Sequence, residues 1–157
     1  AYNRDTGTLT PYSATDPHDR RSDFGYDAIR APWRVLADKA LFPQEADGRA
    51  DALLKRFTGA LKPQWDNRGH MPGPLTPGGK ERAALDSDAV YGALLPVFAA
   101  YEPVVARDIA QGWVRPKLAD KGVWQPERDY YAQNWYWFGL ALLNAMHRQE
   151  AMRAPGK

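Results

Sequence analysis

The residues best placed to do chemistry lie in Gly25-Tyr26-Asp27-Ala28-Ile29-Arg30-Ala31-Pro32-Trp33-Arg34. Asp27 and Arg30 are three positions apart, so on a helical first turn they share a face. Tyr26 precedes the carboxylate and Trp33 follows one turn beyond Ile29. A carboxylate, a guanidinium and flat rings in one patch suit a polar, ring-shaped ligand such as a sugar, because ring faces pack on aromatics while hydroxyls meet polar neighbours. Each residue also has a plainer role. Asp27 is a favoured helix N-cap type, Arg30 fits a structural salt bridge, and Tyr26 can simply pack. Tyr130 and Tyr131 open a later helical stretch, where one can stack on a ring and the other pack. Trp33 sits at core-like helical spacing. Trp124, in Gly122-Val123-Trp124-Gln125-Pro126, is either a cleft ring or a plug at the rim.

Other chemistries find little support. The chain has no cysteine, which removes disulfides, thiolate catalysis and zinc–cysteine sites. His18, His70 and His147 are too scattered for a metal-ligand pattern. There is no Gly-x-Ser-x-Gly elbow. The stretch from Gly73 to Lys80 lacks the Gly-Lys-Ser/Thr spacing of a phosphate loop and carries prolines. No cofactor and no metal are implied.

Five helices, punctuated by Pro and Gly, would position these residues. The first spans about 27–41, with Ile29, Trp33, Leu36, Ala37 and Ala40 on one face and Pro32 in its first turn, where a missing N–H costs little. The second, about 44–61, carries the stripe Ala50, Leu53, Leu54, Phe57, Ala60 and Leu61. Residues 62–85 read as a long Gly/Pro-rich loop with room for a short hairpin, and a loop of that length is often functional. The third helix, about 86–101, is capped by Asp86 or Ser87, and Asp88 also reads as a cap. The fourth spans about 103–114. The fifth, about 129–149, is apolar almost all round from Trp135 to Leu143, as an inner, buried helix would be. Residues 1–23 form an irregular, polar N-terminal segment without a signal-peptide pattern. No segment alternates as a strand should, so the class is all-α.

At 157 residues the chain is one domain's worth. Its 21 basic and 19 acidic residues give a net charge of +2, which offers no electrostatic argument for nucleic acid. No run approaches the ~18 apolar residues a membrane span needs. Tryptophan and tyrosine are the compositional outliers, at six and eight.

The motif Tyr26-Asp27-Ala28-x-Arg30-x-Pro32-Trp33-Arg34 resembles a signature region of glycoside hydrolase family 8, the inverting bacterial endoglucanases and their relatives. Tyr130-Tyr131-Ala132-Gln133-Asn134 resembles the tyrosine pair opening that family's last barrel helix. Between them, Ser87-Asp88-Ala89-Val90-Tyr91-Gly92-Ala93 resembles its small-residue helix after a long loop. The resemblance covers nearly the whole chain but only the C-terminal half of the family's domain. It implies helical hairpins forming about half of an (α/α)6 barrel, with 1–157 as that half. It implies Asp27 as general base, taking a proton from the water that attacks the anomeric carbon, roughly 6.5–9.5 Å from the acid. Arg30 would hold the base ionised or bind a sugar hydroxyl. Tyr26, Trp33, Trp124, Tyr130 and Tyr131 would contribute to the substrate cleft.

The family's acid, a glutamate near the start of the domain, and its Ala-Ser/Thr-Asp-Ala-Asp motif are both missing from these 157 residues. The chain alone is therefore expected to be inactive, as a cellulase or endoglucanase with a base and no acid. A half toroid would leave apolar surface uncovered. The expected partners are thus a polysaccharide, here β-1,4-glucan, and either the missing N-terminal half or a second copy. Polysaccharide degradation in this family implies a secreted or periplasmic location. Two rivals remain: a non-catalytic carbohydrate-binding or helical interaction module, and another toroidal enzyme such as a polysaccharide lyase.

Overall fold

The structure, a computed structural model, describes residues 2–3, 8–9, 23–25, 27–44, 48–71, 73–76, 80–81, 87–118, 122–126 and 128–153. It is mostly helical. A two-stranded antiparallel pair, β1 (Tyr2–Asn3) and β2 (Thr8–Leu9), lies in the N-terminal segment. Five α-helices follow: α1 (Arg30–Leu41), α2 (Arg49–Arg68), α3 (Asp88–Tyr101), α4 (Pro103–Ile109) and α5 (Tyr130–Arg153). Among the described residues no helix is long and apolar enough to cross a membrane.

The central element is α3, not α5. Every residue from Ala89 to Phe98 is buried, and α3 packs against each of the other four helices. Its largest interface is with α5, where the two backbones nearly touch at a pair of glycines. A Cβ on Gly139 would lie 1.9 Å from the Gly92 carbonyl oxygen, and one on Gly92 would lie 2.6 Å from the Trp135 backbone. Only glycine on both sides permits that approach.

The fifth helix departs from its expected burial. It buries Ala132, Trp135, Tyr136, Gly139 and Leu142 but exposes Trp137 and Phe138. Its apolar circumference is wider than the surface α3 can cover.

Helix ends differ from expectation for local reasons. Gly48 adopts φ +82° and forces α2 to start at Arg49 rather than near Gln44. At its far end α2 runs through Pro63 to Arg68, so the first part of the expected 62–85 loop is helical. Packing of Leu61 and Trp65 on the core outweighs the hydrogen bond that Pro63 removes. Gly69, at φ +68°, then closes the helix, its N–H donating to the Trp65 carbonyl. Beyond it, Leu75 makes antiparallel bridges to Phe24 and Glu81, which ties the loop to the segment before α1. The end of α4 loosens into a π-helical turn, Ala110–Val114, and a 3-10 turn, Arg115–Lys117.

Candidate functional site

The N-terminal ends of α1, α3 and α5 meet at one cleft of about 730 Å³. Asp27 and Arg30 come from the start of α1. Ser87, Asp88 and Ala89 come from the start of α3. Asp129, Tyr130 and Tyr131 come from the start of α5. Trp113, Lys117 and Pro126 complete the lining. Each of the three helix starts therefore brings a carboxylate to the cleft, where the positive end of the helix favours one.

The Asp27 carboxylate accepts from the Arg30 guanidinium at 2.8 Å, across the i, i+3 spacing read from the sequence. It is open to solvent, 91 % exposed, whereas Arg30 is less so. Asp27 is not the N-cap: residues 27–29 form a turn, and Ile29 occupies the capping position without a side-chain bond. The capping role that falls vacant at α1 is filled at α5 by Asp129, whose Oδ1 accepts from the Ala132 N–H at 2.9 Å.

Asp88 is the most enclosed of the three carboxylates, with a side chain only 13 % exposed and an ion pair to Lys117. It was expected as a cap of α3, yet Ser87 holds that position and neither makes a side-chain cap bond. The Tyr136 hydroxyl lies buried beside it. Burial first, and then the Asp88 carboxylate beside it, push the Tyr136 pKa far above the ordinary 10.0. The Trp113 ring stacks on Tyr91 at 4.5 Å, and the Lys117 ammonium lies 5.9 Å from its centroid. The π and 3-10 turns after α4 carry both side chains to the cleft, an irregularity often found at functional sites.

Of the residues expected from sequence, Asp27, Arg30, Tyr130 and Tyr131 come together here, although about a hundred positions separate the two pairs. Tyr26 lies outside the described residues. Trp33 is elsewhere: it lines a neighbouring hollow of about 440 Å³, shared with Arg30 and Tyr131, and packs on Trp135 and Phe138. Trp124 does not line the cleft. Its ring stacks on Tyr136 at 5.3 Å, and the Gln133 amide binds its backbone N–H and carbonyl. Sequence reading missed Trp113, Lys117 and Asp129 as cleft residues and took Asp88 only as a cap. The available signal was that three helices open on an aspartate. Among the described residues, no three His, Asp or Glu side chains converge as a metal site.

No family model, curated protein or solved structure matches the chain. What the cleft can do follows from its own geometry. It offers carboxylates from three helix starts, two cations paired to carboxylates, and flat rings.

Proposed function

We propose that this chain forms the base-bearing half of an inverting, endo-acting glycoside hydrolase that cleaves a β-1,4-glucan. The observation that carries the reading is the convergence of Asp27 and Arg30 with Tyr130 and Tyr131 on one cleft. These are the two segments whose motifs resemble family 8, and sequence distance alone gave them no reason to meet. In this reading Asp27, steered by Arg30, takes the proton from the attacking water, while the tyrosines at the start of α5 bear on a sugar ring. The general acid comes from outside these 157 residues, and the helices form about half of an (α/α)6 barrel completed by an N-terminal half or a second copy. A polysaccharide substrate goes with a secreted or periplasmic location.

The exposure of Asp27 supports a second reading for the chain on its own. A base working on a sequestered water would be enclosed, and among the described residues the Asp27 side chain is 91 % exposed. A carbohydrate-binding module without turnover fits that openness, as does a cleft still awaiting its other wall.

Proton NMR of the products freshly released from cellohexaose by the complete protein separates the alternatives. Inversion yields the α-anomer first. A β-anomer first would refute the proposal, and so would an unsaturated product from a uronate-containing polysaccharide with none from cellohexaose, since elimination needs a carboxylate at C6. Binding with no product at all would favour the module.

A further inference from the structure

The face of α5 turned away from α3 is patterned about its own midpoint. Tyr130, Asn134 and Trp137 lead to Ala141 at spacings of four, three and four, and Ala145, Arg148 and Met152 continue from it at four, three and four. Steps of three and four keep them all on one side of the helix, opposite the buried Ala132, Trp135, Gly139 and Leu142. All are exposed except Ala145, which is half-buried. Tyr130, Trp137 and Met152 are 74, 61 and 77 % exposed. The stripe holds no carboxylate and a single charge, on Arg148. A solvated helix face is ordinarily rich in charged residues, so this one reads as a contact surface.

We propose that a second copy of this chain docks on this stripe, α5 against α5, antiparallel and crossing at Ala141. Reversing the helix about Ala141 lays the pattern on itself, which an isologous two-fold contact requires and an unrelated partner does not. The pairs it creates are complementary. Ala141 meets its own copy, and two methyl groups let the helices approach closely. Trp137 faces the small Ala145 of the partner subunit, and Tyr130 faces the adaptable Met152 of the partner subunit. Arg148 faces Asn134 of the partner subunit. The Asn134 amide N–H already donates to the Tyr130 carbonyl at 2.8 Å, so its Oδ1 is left to accept from the guanidinium. A parallel pairing would leave Trp137 no small residue opposite and would set Arg148 on Arg148, like charge against like. The contact stands whether or not the cleft binds a glycan.

Sedimentation equilibrium of the 157-residue chain tests this. The mass should rise from one chain to two across the micromolar range, as for a contact of modest size. Ala141→Glu puts a carboxylate against its own copy at the crossing point and should weaken the dimer at least ~10-fold. Asn134→Asp sets a carboxylate opposite Arg148 and should tighten it by ~5-fold, an effect that added salt screens. A chain that stays monomeric throughout the micromolar range would overturn the proposal, and so would a dimer that Ala141→Glu leaves intact. Because the chain has no cysteine, single replacements report the direction of the helices. Ala141→Cys should oxidise to a disulfide-linked dimer. Met152→Cys should not, since its own copy lies about 33 Å away along the helices. Linkage through Met152→Cys, as a parallel pair would give, would overturn the arrangement.

Discussion

Asp27 and Arg30 were legible because their interaction is local: a spacing of three on a helical turn brings them together whatever the rest of the chain does. Lys39, Asp51 and Tyr101 were not, because they come from three different helices. The Lys39 ammonium donates to Asp51 at 2.6 Å and to the Tyr101 hydroxyl at 3.3 Å, and that hydroxyl donates to Asp51 at 2.7 Å. The bonds from Lys39, then Tyr101, hold the Asp51 carboxyl below its ordinary 3.8. Burial alone would lower Lys39, but its bonds to Asp51 and Tyr101 outweigh burial and raise it above 10.5. The Asp51 contribution is thus full above 3.8 and fades as pH falls through its lower folded value. The Lys39 contribution is full below 10.5 and fades as pH rises through its higher folded value. Lys39→Met should cost about 1 kcal/mol near neutrality, the upper end for a partly exposed pair. The difference in melting temperature from wild type should shrink at both pH extremes. A difference independent of pH would show that Lys39 acts through packing alone.

At the scale of elements, all five helices were readable from periodicity, and their ends were decided by particular residues. Pro63 falls within the stretch expected to be loop but is carried inside α2, since Gly69 is the true terminator. The π turn after α4 has no periodic signature, which is why Trp113 and Lys117 were missed at the cleft. The identity of the central helix was also hidden. Both α3 and α5 are rich in apolar residues, and only the Gly92–Gly139 contact and the four-sided packing of α3 show which is enclosed. Gly139→Ala should force α3 and α5 apart, because the methyl would collide with backbone rather than with a side chain that can turn aside. A loss of ~1–3 kcal/mol is expected for such overpacking, read as a melting temperature lower by roughly 3–10 °C in a chain of this size. An unchanged melting temperature would mean the two helices do not approach as described.

For the whole molecule, part of the apolar surface of α5 faces outward. Trp137 is 61 % exposed, and Phe138 lies beside it against Trp33 and Trp135. The all-α class was readable from the sequence because it depends on periodicity alone. Closure of a barrel was not, since it depends on what those faces meet. The measurement that bears most directly on the base assignment is turnover of a cello-oligosaccharide by the complete protein carrying Asp27→Asn. If Asp27 is the base, kcat falls by ~10²–10⁴-fold while affinity for the oligosaccharide stays within about twofold, because the ring contacts and Arg30 remain. Near-normal turnover in that variant would contradict the assignment outright.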